Sequence, residues 1–346
     1  MLGAGLIGQQ FIRMLDQHPF LSLRAVIASE SSKGEHIAQR WNLPSFSIPE
    51  TFKGMTLTNL DDIDIESIDI AFSALPAEEA EHIESDLAKN GIKVFSNSSA
   101  HRYDEKVPIL IPEINGDHLE IVKSQSMYES AGGFIVTNSN CSVSGLAILL
   151  NELQIMEPIT NVFVSTYQAL SGAGLEGIQS IPRDRVIPFI EKEEEKISLE
   201  ARKILGTFTG DNILPNISIN KILANCARVP IIDGHLESVT IEFEDNIDLN
   251  KVEHYLGVRE NSLKSLPTAP IKHLYLHSEN DRPQSVFDLY LGKENKVRSQ
   301  GMTVSIGRLR VDSNYLRCFL LVHNTIRGGA GGSILNAELA YSKGLL

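Results

Sequence analysis

Residues 2–8 read Leu2-Gly3-Ala4-Gly5-Leu6-Ile7-Gly8 and run directly into an amphipathic helical pattern that continues to Leu15. Gly3, Gly5 and Gly8 make a Gly-x-Gly-x-x-Gly spacing. Glycine at those places permits a tight turn and lets backbone N–H groups at a helix start approach a pyrophosphate. Alone the motif is common; its context gives it weight. A helix follows, and Leu23–Ala28 then reads as a short apolar strand. Only Met1 and Leu2 stand before Gly3. The strand that should precede such a loop is therefore either shortened or begins upstream of Met1.

Working outward, Ile68–Ala74 and Lys93–Ser96 read as further strands. Ala77–Asn90 between them reads as a helix closed by Gly91. Alternating strand and helix signals predict parallel βαβ units, so residues 1–139 form a Rossmann-type, dinucleotide-binding domain. After Cys141 the pattern changes. Val143–Leu153 reads as a helix, Asn161–Gln168 as a strand, and residues 191–205 as a charged amphipathic helix. Ser238–Glu244, Met302–Val311 and Arg317–His323 read as strands of a mostly antiparallel sheet. The fold class is α/β with a second, α+β domain over residues 140–324. A C-terminal helix, 325–346 with its helical pattern read over Gly331–Leu346, is expected to return to the first domain.

The bulk numbers restrict function. A chain of 346 residues suits two domains. Its net charge of -13 leaves no basic excess to neutralise phosphates, which argues against a nucleic-acid footprint. Cys141, Cys226 and Cys318 are odd in number and far apart, so neither a disulfide framework nor a metal site is expected. That usage fits a reducing, cytoplasmic compartment. No apolar run is long enough to span a membrane, and no secretory leader pattern stands at the start.

The end of the second strand, Ala28-Ser29-Glu30-Ser31-Ser32-Lys33, bears on the cofactor. An acid there favours NAD through a ribose hydroxyl. Ser29, Ser32 and Lys33 would instead hold a 2′-phosphate, and Glu30 can equally be a solvated loop residue. The reading leans to NADP over NAD.

Asn138-Ser139-Asn140-Cys141-Ser142-Val143-Ser144-Gly145 carries the chemistry. A cysteine that opens a helix sits at the positive end of its dipole, which is expected to lower the thiol pKa. The first N–H groups of that helix would be free to receive an oxyanion. The other reading is a buried cysteine acting as a small apolar residue. Cys226 and Cys318, in apolar strand-like surroundings, read as core.

Ser139-Asn140-Cys141-Ser142 resembles the nucleophile segment of the aspartate-semialdehyde dehydrogenase family. Further matches follow in order. Asn97-Ser98-Ser99-Ala100-His101-Arg102 resembles its phosphate loop, and Tyr167-Gln168-Ala169-Leu170-Ser171-Gly172-Ala173-Gly174 its glutamine segment. Arg228-Val229-Pro230 with Gly234-His235 resembles its arginine and general-base segment. Asn324-Thr325-Ile326-Arg327-Gly328-Gly329-Ala330 resembles its cofactor-closing loop. The matches span nearly the whole chain and look closest to the archaeal and fungal branch.

The resemblance implies roles. Cys141 would be the nucleophile, and His235 would take the thiol proton and later return one. Gln168 would orient the acyl group. Arg228 would grip the substrate carboxylate as a bidentate fork. Glu193 would hold the substrate amino group. Arg102 and Lys196, helped by Asn97 and Ser98, would hold phosphate. Gly3, Gly5, Leu6, Ile7, Gly8, Ser29, Ser32, Lys33, Ser73, Ser171, Gly172 and Asn324 would meet the cofactor. The implied reaction is NADPH-dependent reduction of L-aspartyl 4-phosphate to L-aspartate 4-semialdehyde, on the way to lysine, threonine, methionine and isoleucine. A homodimer or homotetramer is implied. The nearest alternative is a malonyl-CoA or succinyl-CoA reductase of the same superfamily. A catalytically silent dinucleotide-binding homologue is the alternative from another class.

Overall fold

The computed structural model describes residues 1–182, 184–292 and 297–346. In the first part, helix α1 (Leu6–Leu15) follows the glycine loop. It is succeeded by β1 (Ile70–Ser73), α2 (Ala77–Lys89), β2 (Lys93–Ser96), β3 (Ile109–Leu110), α3 (Pro112–Asn115), α4 (Ser126–Ala131) and β4 (Phe134–Asn138). The sheet runs β1-β2-β4-β3, parallel throughout. Leu2 extends it beyond β1: its single parallel bridges reach Ser73 on one side and Ile27 on the other, and Ile27 in turn bridges Thr58.

The expected strand over Leu23–Ala28 is thus reduced to isolated bridges at Ile27. Ile27 bridges Leu2 on one side and Thr58 on the other. The backbone bonds of this stretch include Ile27 N–H to Met1 O, Gly3 N–H to Ile27 O, Ala28 N–H to Thr58 O and Thr58 N–H to Val26 O, at 2.8, 2.9, 3.0 and 3.1 Å. The turn after Leu2 depends on glycine. Gly3 has φ +92°, and a methyl group on Gly8 would lie 2.0 Å from Gly3 O. The helix can therefore start this close to the loop only without side chains there.

The second part opens with α5 (Cys141–Gln154) and β5 (Ile159–Gln168), then α6 (Gly174–Ser180), α7 (Glu193–Ile204), and the small pair β6 (Thr207–Phe208) and β7 (Ile213–Leu214). It continues through β8 (Lys221–Arg228), β9 (His235–Phe243), α8 (Leu249–Val258), β10 (Leu274–Leu276), α9 (Ser285–Asp288), β11 (Val304–Asp312) and β12 (Tyr315–Val322). The sheet order is β10-β11-β12-β9-β5-β8. The three inner pairings are antiparallel and the two outer ones parallel. It is therefore a mixed sheet, with the expected antiparallel centre. Alternation along β5, β8 and β9 sends one set of side chains under α5, α7 and α8, where Val162, Val164, Ile222, Val239 and Ile241 join Leu146, Leu150 and Ile197 in one core. The opposite face keeps Phe163, Tyr167, Leu223 and Tyr315 exposed.

Helix α10 (Gly331–Ser342) returns to the first sheet. Ile334, Leu335 and Leu339 enter the core of Phe11, Phe72, Phe95 and Phe134. All residues from Gly331 to Ala340 are buried, so this helix is enclosed around its whole circumference, its polar Glu338 bonding to His18 and Thr268. Among the described residues no helix is long and apolar enough to cross a membrane.

Candidate active site

The site forms where β4 ends and α5 begins. Asn140 caps α5: its Oδ1 accepts the Ser142 and Val143 N–H groups at 2.9 and 3.3 Å. Those donors are therefore satisfied by the cap, contrary to the expectation that they stand free for an oxyanion. Cys141 is the first helical residue and is half-buried. Its Sγ lies 3.2 Å from His235 Nε2. The loop before α10 closes over it so tightly that a methyl group on Gly328 would come 2.6 Å from Cys141 Cα.

His235 opens β9 and is fully buried. Its Nδ1 accepts the Ala169 N–H at 3.1 Å. A neutral imidazole carries one N–H, so the proton resides on Nε2 and points at the sulfur. Burial, then the Arg228 charge, pushes the ring down to about 3, keeping it neutral. The resting geometry therefore makes His235 a hydrogen-bond donor to Cys141. This differs from the expected acceptor of the thiol proton, because the Ala169 amide occupies the nitrogen that would otherwise be protonated.

The thiol also departs from expectation. Burial, then the Glu193 carboxylate, pushes Cys141 up to about 12, against the opposing pull of Arg102, Arg228 and its own N–H. Desolvation outweighs the helix terminus here. Cys226 and Cys318 are core residues as read, and burial raises both to about 12.

Around the sulfur the polar side chains interlock. Glu193 opens α7 and is turned inward; its Oε1 accepts from Asn140 Nδ2 and Gln168 Nε2, both at 2.9 Å. Gln168 Nε2 also reaches Thr166 Oγ1 at 3.3 Å. Arg228, at the end of β8, donates from Nη1 to Ala169 O at 2.8 Å and packs beside Gly172. Arg102 donates to Glu200 Oε1 and to Asn97 O, each at 2.9 Å. Asn97 Oδ1 accepts from Asn138 Nδ2 at 3.0 Å, and Ser98 is buried in the same loop. Glu193, Lys196 and Glu200 fall at helical i, i+3 and i+7 positions, one face of α7. Lys196 is half-buried there. Sequence reasoning missed Glu200, which is fully buried, and the bridging role of Asn140.

The cleft for a dinucleotide lies at the other side of the glycine loop. It encloses about 590 Å³ and is lined by Gly3, Gly5, Leu6, Ser29 and Ser32, together with Arg40 and Asn42, which were not anticipated. Helix α1 has no side-chain cap at Gly5, and a side chain there would project into open space. An uncapped N-terminus at an open backbone position fits a pyrophosphate. Other anticipated cofactor residues are placed elsewhere. Lys33 turns away to pair with Asp62 at 2.6 Å, because the chain after Ser29 winds into a short turn. Ser73 is fully buried at the end of β1, beneath the Leu2 bridge. Gly8 serves packing, and Ile7 faces the loop at Gly329. Ser171 and Asn324 bond to one another at 2.8 Å, and Asn324 Oδ1 accepts the Gly234 N–H at 2.8 Å. Among the described residues no group of side chains has the makings of a metal site.

Comparison with known proteins gives the family. Residues 1–122 match the family model for the semialdehyde dehydrogenase NAD binding domain, and residues 150–327 match that for its dimerisation domain. An aspartate-semialdehyde dehydrogenase of Archaeoglobus fulgidus is 39% identical, over 100% of this chain and 98% of its own. A malonyl CoA reductase (NADP) of Metallosphaera sedula is 34% identical, over 100% and 97%. The crystal structure of aspartate semialdehyde dehydrogenase with NADP from Candida albicans superposes with a TM-score of 0.85 at 33% identity, covering 100% of this chain and 98% of that one. The chain belongs to the aspartate-semialdehyde dehydrogenase family.

Proposed function

We propose that the protein catalyses the NADP-dependent interconversion of L-aspartyl 4-phosphate and L-aspartate 4-semialdehyde through a thioester on Cys141. The observation that carries this reading is the 3.2 Å contact of Cys141 Sγ with His235 Nε2, inside a ring formed by Arg102, Arg228 and Glu193. Two cations and one anion around a sulfur match a substrate with carboxylate, phosphate and ammonium groups.

Arg228 holds the α-carboxylate and Glu193 the ammonium group. Pairing Glu193 with an ammonium removes the main charge opposing the thiolate, so substrate binding itself favours the reactive form of Cys141. As substrate binds, the Cys141 thiol gives its proton to solvent; the thiolate attacks the acyl carbon, the C–O bond to phosphate breaks, and phosphate departs toward Arg102 and Lys196, taking up a proton. NADPH, when bound in the Gly3–Gly5 cleft, supplies the hydride. The His235 Nε2–H stabilises negative charge on the acyl oxygen, and later on the sulfur as the C–S bond breaks, while Gln168, held by Glu193 and Thr166, orients the acyl group. Asn97 and Ser98 shape the phosphate loop. Ser171, Gly172 and Asn324, which lie by Gly234 and His235, are the residues assigned to the cofactor near Cys141.

The family's dimerisation domain supports self-association. The uncovered sheet face bearing Phe163, Tyr167 and Leu223 is the surface assigned to a second copy, giving a homodimer or a dimer of dimers. Domain limits of 1–139 with 325–346, and 140–324, follow the break at Cys141. The compartment proposed is the cytoplasm.

The deciding assay follows NADP reduction with L-aspartate 4-semialdehyde, with and without phosphate, and runs malonyl-CoA with NADPH alongside. Dependence on both semialdehyde and phosphate is expected. Activity with the CoA ester alone would move the substrate and keep the Cys141 route. The buried Glu193 favours the first outcome, since malonyl-CoA offers no ammonium for it. Cys141→Ala is expected to abolish turnover while NADP still stabilises the fold, by roughly 2.7 kcal/mol at a hundredfold excess over Kd. Retained turnover in that variant would rule out the thioester.

A further inference from the structure

Glu200 belongs to none of the motifs that point to the chemistry, yet one carboxylate there joins three parts of the site. Its Oε1 accepts from Arg102 Nη1 at 2.9 Å, and its Oε2 accepts the Asn140 N–H at 2.6 Å. The residue is fully buried, and Arg102 is nearly so. The partners come from different elements: Arg102 from the loop after β2, Asn140 from the cap of α5, and Glu200 from α7. The same helix grips that loop a second time, through its backbone. Lys203 Nζ donates to the carbonyls of Arg102, Asp104 and Val107, each at 2.8 Å. Meanwhile Asn140 donates its side chain to Glu193, two turns earlier on the same face of α7.

A guanidinium alone on a loop would lose much of its affinity for an anion to the entropy of being ordered. Fixed by Glu200 and by Asn97 O, Arg102 is preorganised. The Asn140 N–H sits immediately before the nucleophile. One carboxylate therefore sets the distance between the cation that receives an anion and the helix that carries the sulfur.

We infer that Glu200 is a positioning residue for anion binding, holding Arg102 in register with the Cys141 helix so that phosphate binds beside the nucleophile. This rests on the functional reading above, in which Arg102 receives the phosphate. Glu200→Gln keeps the shape and one acceptor oxygen but loses the charge and one of the two bonds. Glu200→Asp keeps the charge and shortens the reach.

The experiment measures phosphate binding without turnover, as protection of Cys141 from iodoacetamide by inorganic phosphate, and then kcat and both KM values in the semialdehyde assay. For Glu200→Gln, the protection constant and the KM for phosphate are expected to rise about tenfold while the KM for semialdehyde moves by less than about twofold. Glu200→Asp is expected to fall between the wild type and Glu200→Gln. A folded Glu200→Gln with unchanged phosphate constants overturns the inference. So does a uniform loss of both KM values together with thermal stability, which marks a merely structural carboxylate. If Glu200→Gln does not fold, the same readouts on Glu200→Asp decide, with unchanged phosphate constants again overturning it. The wild-type protein tests the underlying reading separately. No phosphate protection there, with protection by a CoA ester instead, overturns the phosphate reading and this inference together. Protection in the wild type with no change in the variants overturns the inference alone.

Discussion

Glu193 works against Cys141 in the free protein and for it in the complex. Its carboxylate is the second largest influence raising the thiol, after burial. Replacing it by Gln keeps an acceptor for Asn140 and Gln168 while removing the charge. The sign follows directly: with less negative charge nearby, the thiol pKa falls, and more thiolate exists at any pH below it. Glu193→Gln is expected to raise the rate of iodoacetamide alkylation of Cys141 a few-fold at about pH 8, with the two proteins converging at high pH. Its KM for semialdehyde should rise at the same time, since the ammonium loses its counter-ion. Slower alkylation would show that Glu193 acts on the sulfur by shape alone. The tautomer of His235 belongs to this scale too. It is set by one backbone amide, Ala169, whose position no motif announces.

At the scale of elements, the site depends on how α5 begins. Asn140 satisfies two N–H groups at the helix start and also bridges to Glu193 and Glu200. Asn140→Ala is expected to cost about 1 kcal/mol of stability from the lost cap, read as a lower denaturation midpoint. It should also lower kcat, because Glu193 loses a partner. A fall in stability with kcat untouched would confine Asn140 to capping. Much of this helix was legible in sequence. Cys141 after Asn140 reads as the opening of a helix and Val143–Leu153 as its body, whereas the side-chain cap shows only in the fold. Glu200 was not legible, because a glutamate in a charged helix looks like any solvated one until its face is known. Leu23–Ala28 reads as a strand from its residues, yet only Ile27 in it forms bridges, to Leu2 and Thr58. The lowered thiol pKa, read from the helix start alone, failed because local sequence does not reveal desolvation.

For the whole molecule, the two sheets divide the work. The parallel one carries the glycine loop, the mixed one carries Gln168, Arg228 and His235, and α10 returns across the first. The alternation along β5 and β8 explains both the buried core and the apolar outer face. A charge placed on that outer face should prevent association without touching the core. Phe163→Glu combined with Leu223→Glu is expected to shift the protein to a monomer in size-exclusion chromatography with light scattering, while its near-native far-UV spectrum persists. An unchanged oligomer would place the interface elsewhere.

The distribution of sulfur gives the chain a built-in gauge of its own integrity. Of its three cysteines, two lie sealed in the core of the mixed sheet and one is partly open beside the site. A brief pulse of thiol reagent should therefore tag intact molecules at Cys141 and opened ones at all three positions. Whole-protein mass would then separate loss of activity at the sulfur from loss of the fold. An inhibitor that reacts with Cys141 could thus be told apart from a compound that merely unravels the protein, with no label or reporter added.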